Sequence, residues 1–194
     1  MTDAAARFFC SEAATPLGKL LLLSDGERLC STFFEEQKFL PQIAACSRER
    51  RDSLAIFRDA RAWLERFFAS AGRRAFPHEI PLAPAGTPFR LRVWRALCKI
   101  PAGTTASYAE LASMLEESAP ANANSVPAEA RKSARAVASA LAHNPLIIFI
   151  PCHRVIAADG GISGFSGGVE RKIFLLRLEG ARFRVPANFH SPAG

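Results

Sequence analysis

The chain has 194 residues, of which 49% are hydrophobic and 22% are charged, a balance that excludes an intrinsically disordered protein. No apolar run approaches the roughly 20 residues of a membrane-spanning helix, and the beginning of the chain lacks the pattern of a signal peptide. A formal net charge of +7 suits a polyanionic partner, and five cysteines without a CxxC pair indicate reduced thiols in a cytoplasm-like compartment.

The first part of the chain predicts a small unit of mixed sheet and helix. Two apolar runs, 19–23 and 29–34, are separated by an Asp-Gly turn and predict a β-hairpin. Apolar positions at three- and four-residue steps between 53 and 68 predict an amphipathic helix. Residues 78–82 are typical of a short edge strand that ends at a proline.

A proline-rich stretch at 81–88 marks a predicted domain boundary. We therefore expect one domain over 1–84, a second over 85–185, and a tail over 186–194.

The second domain opens with signals for three helices. Thr87-Pro88 predicts the start of a helix that continues to residue 97. Ser107 and Glu110 have the spacing of a capping box that opens another helix. Residues 116–127 lack periodicity and predict a loop, whereas the Ala-rich stretch 128–143 predicts a third helix. The last two helices have the order of a helix-turn-helix, with an unusually long connection.

One cysteine lies in surroundings that suggest chemistry. Five apolar residues at 146–150 predict a buried strand that ends at Pro151. Cys152 follows at once, and the imidazole of His153 and the positive charge of Arg154 are expected to favour a reactive thiolate. Taken alone, however, a buried cysteine is more often an inert small hydrophobe.

The end of the second domain combines a glycine-rich loop with a helix. Residues 164–168 include three glycines, so backbone amides there can approach a ligand closely. A helix is predicted over 170–178, with Gly180 as its C-terminal cap. Glu179 in the last turn opposes the helix dipole unless a cation meets it. It is either a solvated carboxylate or the partner of His153 in a Cys-His-Glu relay.

Several motifs occur together in a family-specific order: Arg-Ala-Val at 135–137, Asn-Pro at 144–145, Pro-Cys-His-Arg-Val at 151–155, Ser-Gly-Gly at 166–168 and Leu-Leu-Arg-Leu-Glu-Gly at 175–180. This pattern resembles the O6-alkylguanine-DNA alkyltransferases, also called methylated-DNA–protein-cysteine methyltransferases. The resemblance covers about 89–180 and is looser before it. It implies an α+β fold, with a ribonuclease-H-like N-terminal domain and a helical, winged-helix-like domain that carries the helix-turn-helix and the active site.

The resemblance implies DNA repair by direct and irreversible alkyl transfer. The thiolate of Cys152 would attack the alkyl carbon on O6 of guanine, with O4-alkylthymine as a candidate second substrate. His153, oriented by Glu179, would activate the thiol, and Tyr108 would donate a proton to the departing base. Asn144 would tie its helix to the active-site segment.

The resemblance also implies two sets of contacts. The flipped base would meet the substrate-binding set Tyr108, Cys152, Val155, Phe165 and Ser166. Double-stranded DNA would be held through its minor groove by the set Tyr108, Arg131, Ser133, Arg135 and Ala136, with Arg135 taking the place of the flipped nucleotide. Read locally, Arg135 is equally well a surface charge on an Ala-rich helix, and Tyr108 a packing aromatic residue.

No cofactor and no metal are predicted. Some relatives hold zinc through two Cys and two His, and Cys10 with Cys30 could form half of such a site, but His78 is the only histidine before the domain boundary. We expect a monomer in the cytoplasm, or the nucleus of a eukaryote, that binds alkylated DNA and no membrane. Two other classes stay open: a sensor that binds alkylated DNA without reacting, against which Cys152 argues, and a Cys-His-Glu hydrolase, which leaves the basic helix unexplained.

Overall fold

The computed structural model describes residues 7–37, 40, 48–72, 79–117 and 134–185. Within these ranges the protein is a mixed α+β structure with one four-stranded sheet, one two-stranded sheet and five α-helices. None of the described helices combines the length and the hydrophobicity needed to cross a bilayer.

The four-stranded sheet lies in the first part of the chain and has the order β3-β2-β1-β4, with strands β1 (Phe8–Thr15), β2 (Gly18–Ser24), β3 (Leu29–Phe33) and β4 (Arg48–Arg50). Strand β2 pairs antiparallel with β1 and β3, and β4 runs parallel to β1. The predicted hairpin is confirmed as β2 and β3. Strand β1 was not predicted, because small and polar residues interrupt the alternation on which a strand prediction depends.

The predicted amphipathic helix is confirmed as α1 (Ala55–Ala69), which buries its apolar side, including Phe57, against the sheet. Its Trp63 ring stacks on Phe67 at 5.3 Å between centroids and on Phe149 at 4.4 Å. Because Phe149 belongs to the segment before Cys152, this aromatic stack joins the first part of the chain to the Cys152 segment.

The remaining elements lie in the second part of the chain: α2 (Pro88–Leu97), β5 (Ala106–Ser107), α3 (Tyr108–Glu117), α4 (Ala134–Ala142), a 3₁₀-helix (Cys152–Arg154), β6 (Val155–Ile156) and α5 (Val169–Glu179). Strands β5 and β6 form the parallel two-stranded sheet. Residues 116 and 117 of the loop predicted over 116–127 are instead the end of α3. The rest of that loop, the beginning of the predicted third helix (128–133), His78 and the tail lie outside the described residues.

The predicted helix caps are confirmed. The Thr87 hydroxyl accepts a hydrogen bond from the amide of Arg90 at 3.3 Å. The Ser107 hydroxyl accepts one from the amide of Glu110 at 3.1 Å, and the Glu110 carboxylate accepts the Ser107 amide at 2.6 Å. Two orphan donors are thereby satisfied at the start of α3, which fixes the position of the next residue, Tyr108.

The predicted strand over 146–150 is wrong, although the segment is buried as expected. Ile148 has φ = +73°, and the Ile150 amide donates to the Leu146 carbonyl at 2.8 Å, so the backbone turns instead of extending. A β-branched residue is strained in this left-handed region and remains there only when its surroundings require it. A run of apolar residues indicates burial and does not specify the backbone direction.

The sheet of the first part supplies the contacts that hold this turn. The Pro145 carbonyl accepts the Thr32 amide at 2.8 Å and the Ser31 hydroxyl at 2.9 Å, and the Thr32 hydroxyl donates to the Ile147 carbonyl at 2.9 Å. Both β3 side chains are fully buried. Strand β3 is therefore part of the scaffold of the Cys152 segment.

Replacing Thr32 by Val should destabilise the protein by about 1–3 kcal/mol, because the buried Ile147 carbonyl loses this donor. Urea unfolding measures the change. Thr104→Val is the matched control, since the Thr104 hydroxyl makes the same kind of bond, to the Pro101 carbonyl at 2.8 Å, on the exposed surface. Equal unfolding free energies for the two variants would contradict the role given to Thr32.

Candidate active site

Cys152 begins the 3₁₀-helix and lines a cavity of about 760 Å³. Several other regions share this lining, among them Tyr108 at the start of α3, Ala138, Leu141 and Ala142 on α4, and the glycine-rich loop with Phe165 and Ser166. Four of the five predicted substrate-binding residues therefore meet around one space. The fifth, Val155, is fully buried directly after the 3₁₀-helix.

Asn144 connects the end of α4 to the cysteine. Its side-chain amide donates to the Ile150 carbonyl at 2.8 Å and to the Cys152 sulfur at 3.0 Å. Its side-chain oxygen accepts the Leu146 amide at 3.0 Å. One buried side chain thus closes the turn and places a donor on the sulfur.

The thiol is held in its neutral form. Burial raises the pKa of Cys152 to about 11, although the Asn144 hydrogen bond and the positive charge of Lys172 act in the opposite direction. The expectation that Arg154 would stabilise the thiolate is not met, because its guanidinium donates to the Glu179 carboxylate instead. Reaction at neutral pH therefore needs a group that takes the thiol proton.

His153, Arg154 and Glu179 form a buried cluster. The Glu179 carboxylate accepts both Nε of Arg154 at 2.9 Å and an Nη of Arg154 at 2.7 Å, and one of its oxygens lies 3.1 Å from His153 Nε2. Burial alone would raise the pKa of Glu179, but the hydrogen bonds and charges of His153 and Arg154 outweigh it and lower the pKa to about 2. The predicted meeting of His153 with Glu179 is present, and Arg154 joins them.

The tautomer of His153 follows from this geometry. Burial lowers the pKa of His153 despite the hydrogen bond to Glu179, so the ring is neutral near pH 7. A neutral ring that donates Nε2–H to the carboxylate has Nδ1 as its acceptor. That Nδ1 is buried and makes no hydrogen bond to any described residue. Nδ1 is thus the ring atom with an unused lone pair, and no direct hydrogen bond joins it to Cys152 within the described ranges.

Sequence reasoning missed two residues behind the cavity. Lys172 on α5 is 1% exposed, and its ammonium donates to the Val155 carbonyl at 2.6 Å. Ser163 lies between Lys172 and Tyr108, with its hydroxyl 2.7 Å from that of Tyr108. Helical spacing could have revealed Lys172, because positions 172, 176 and 179 fall on one side of α5.

The glycine-rich loop carries the remaining predicted substrate residues. The Ser166 hydroxyl is buried and has no partner among the described residues, so it can accept or donate toward a bound base. The Phe165 ring lies so close to Gly167 that a Cβ there would approach it to 2.8 Å. Glycine at 167 therefore lets the aromatic ring fold down beside the cavity.

The predicted DNA-binding residues are described in part. Arg135 is exposed near the start of α4, and the neighbouring Ala136 is half-buried on the same helix. Tyr108 lies at the cavity, whereas Arg131 and Ser133 lie outside the described residues. Helix α4 thus carries the exposed Arg135, and other residues of the same helix line the cavity around Cys152.

The described residues form no candidate metal site. Within the described ranges, no group of three or more His, Cys, Asp or Glu side chains could hold a metal ion, and Cys10 and Cys30 are free thiols. Because His78 is outside these ranges, the absence of a metal stays a prediction.

Similarity to known proteins agrees with this geometry. Residues 88–181 match the family described as "6-O-methylguanine DNA methyltransferase, DNA binding domain". The chain is 37% identical over 165 residues to the methylated-DNA–protein-cysteine methyltransferase of Haemophilus influenzae, covering 85% of this chain and 82% of that protein. It is 36% identical to the enzyme of the same name from Methanosarcina acetivorans, covering 86% of this chain and 95% of that protein. The crystal structure of Mycobacterium tuberculosis OGT in complex with DNA is similar with a TM-score of 0.68 and 34% identity, over 89% of this chain and 92% of that one.

Proposed function

Because the chain belongs to the methylated-DNA–protein-cysteine methyltransferase family, we propose that it repairs DNA by direct transfer of an alkyl group from O6-alkylguanine to Cys152. Cys152 is assigned as the acceptor because it lines a cavity between α4 and the glycine-rich loop. The Asn144 amide donates a hydrogen bond to its sulfur, and the next residue, His153, is a neutral histidine.

The reaction is a displacement at carbon. His153 Nδ1 takes the thiol proton through water, and the carboxylate of Glu179 stabilises the imidazolium that forms. The Cys152 sulfur then bonds to the alkyl carbon as the bond from that carbon to guanine O6 breaks. Tyr108 donates its hydroxyl proton to a ring nitrogen of the departing guanine, which leaves as the neutral base.

The product is a thioether, and no described residue offers chemistry to cleave it. Each protein molecule therefore repairs one lesion and then remains alkylated. Incubation with an excess of an oligonucleotide containing O6-methylguanine, followed by counting the repaired bases, tests this point. We expect repair to stop when the number of repaired bases equals the number of protein molecules. Continued turnover would contradict the function and favour a hydrolase.

The lesion must leave the duplex to react, because Cys152 is only 3% exposed. Unstacking costs a few kcal/mol. We propose that the Arg135 side chain occupies the position in the base stack that the flipped nucleotide leaves. Helix α4 would enter the minor groove, because its small alanine side chains permit close contact with DNA. Tyr108 and Ala136 belong to the same proposed DNA surface, with Arg131 and Ser133 as its predicted extension.

Finer features of the architecture belong to the same proposal. The first domain, 1–84, is ribonuclease-H-like, and the second, 85–185, is winged-helix-like and ends before a tail. The four-stranded sheet with α1 and the placement of α3 and α4 support this division. We further propose that the protein acts as a monomer in the cytoplasm, or in the nucleus of a eukaryote.

Replacing Arg135 by Ala should slow repair of duplex DNA by roughly tenfold or more, while the rate with free O6-benzylguanine stays within about twofold. The reason is that the free base needs no flipping. Single-turnover rates on both substrates measure the difference. Arg58→Ala, which removes an exposed arginine from α1, is the matched control. An equal loss on both substrates would contradict a role of Arg135 in flipping.

A further inference from the structure

Lys172 is an unusual buried cation. Its ammonium is held by three neutral oxygens: the Val155 carbonyl at 2.6 Å, the Ser163 carbonyl at 3.3 Å and the Ser163 hydroxyl at 3.3 Å. None of its contacts within the described ranges is to a carboxylate, and a buried charge in such surroundings is costly and is retained where something compensates for it. The proposed mechanism uses none of these contacts, so the position of the ammonium needs its own explanation.

The hydroxyls beyond Lys172 form a directed row that ends at the cavity. An ammonium can only donate, so the Ser163 oxygen accepts from Lys172. Its own proton is then free to point to the Tyr108 oxygen 2.7 Å away. With Ser163 as the donor in this pair, the Tyr108 hydroxyl, which lines the cavity together with Cys152, keeps its own proton for a bound base. In this arrangement the donors run from Lys172 through Ser163 to Tyr108.

We propose that Ser163 is a positioning residue that relays a proton from Lys172 to Tyr108 as guanine departs, an inference that rests on the proposed function. The electron pair of the breaking carbon–oxygen bond stays on guanine, which takes the Tyr108 proton at a ring nitrogen. Tyr108 regains a proton from Ser163, and Ser163 regains one from Lys172. The neutral amine of Lys172 is later protonated by solvent.

The charges around the row support this direction. Burial lowers the pKa of Lys172 to about 8, and the negative charge of a Cys152 thiolate works against that change. The titratable groups facing Lys172 are Cys152 and His153 on the 3₁₀-helix and, through Ser163, Tyr108 on α3. The alkylated sulfur is neutral, so it no longer attracts the positive charge of Lys172. Lys172 therefore releases its proton more readily at the moment when the departing guanine requires one.

The test is the pH dependence of single-turnover alkyl transfer between about pH 6 and pH 9. We expect the wild-type rate to decline above a pH of about 8, where Lys172 loses its proton. Ser163→Ala should lower the rate roughly tenfold or more and remove that decline. Ser163→Thr keeps the hydroxyl and should restore both the rate and the decline. Ser113→Ala, which removes an exposed hydroxyl from α3, is the matched control.

A double-mutant cycle tests whether Ser163 acts through the Tyr108 hydroxyl, and the pH profile tests whether it relays a proton. In a Tyr108→Phe background, Ser163→Ala should cause no further loss, because the group it serves is gone. An unchanged alkaline decline in Ser163→Ala, or an equal loss with and without the Tyr108 hydroxyl, would overturn the relay. Each reaction is also followed by protein mass. If the wild type gains no alkyl mass, the proposed function fails as well; if it gains one and Ser163→Ala keeps the wild-type profile, the relay alone fails.

Discussion

Replacing Cys152 by Ala should abolish alkyl transfer, with a loss of roughly a thousandfold or more, while duplex DNA is still bound with an affinity within about twofold of wild type. The transfer is lost because no other described side chain places a nucleophile on the cavity next to Asn144. Binding survives because the Asn144 amide keeps its bond to the Ile150 carbonyl, so the turn and the end of α4 retain their positions.

Two assays on the same protein separate the two properties. Single-turnover repair of O6-methylguanine in a duplex measures transfer, and fluorescence anisotropy of the labelled duplex measures binding. Cys98→Ala removes an exposed thiol and is the matched control, expected to behave as wild type in both. Residual transfer in Cys152→Ala would remove this cysteine as the acceptor, and a parallel loss of binding would show that the substitution disturbs the site as a whole.

Replacing Glu179 by Gln should destabilise the protein by about 3–5 kcal/mol and slow transfer severely. The Glu179 side chain is fully buried and its carboxylate binds both Arg154 and His153, so its neutralisation leaves a buried guanidinium without a countercharge among the described residues. It also removes the anion that stabilises protonated His153 during attack. Urea unfolding and single-turnover rates measure the two effects.

The matched control for this substitution is Glu49→Gln. Glu49 also contacts two arginines, Arg7 at 2.5 Å and Arg51 at 2.7 Å, but all three side chains are exposed. Solvent screens such pairs, so the control should change stability far less. Similar losses for the two variants would contradict the importance of burial at Glu179.

The same carboxylate predicts how stability depends on pH. The pKa of Glu179 is lowered from 4.5 to about 2 in the folded protein, so its contribution is fully present above pH 4.5 and is lost as pH falls toward 2. The pKa of His153 is lowered from 6.5 on folding, so its contribution is likewise present above that value and decreases below it. Unfolding free energies measured over this range should fall less steeply in Glu179→Gln than in wild type.

Local signals in the sequence predicted much of the fold. The Asp-Gly turn between two apolar runs predicted β2 and β3, and the Ser107–Glu110 spacing predicted the start of α3, because in each case the stabilising contacts lie within a few residues. Family motifs predicted that His153 and Glu179 meet.

What could not be predicted depends on contacts between distant parts of the chain. The turn at Ile148 is held by Ser31 and Thr32, more than a hundred residues earlier, so its apolar sequence was mistaken for a strand. Arg154 was expected beside the thiol and instead meets Glu179, because a charge next to a cysteine in sequence need not face it in space. Lys172 was overlooked since a lysine on a helix is usually exposed.

One measurement tests most directly whether Cys152 accepts an alkyl group from DNA. The protein is incubated with a duplex containing O6-methylguanine, weighed intact, digested, and the modified peptide is sequenced by mass spectrometry. We predict a gain of one methyl group on Cys152 and on no other residue. A methyl group on another cysteine would contradict the assignment of the site, and tight binding without any gain in mass would instead identify a sensor of alkylated DNA.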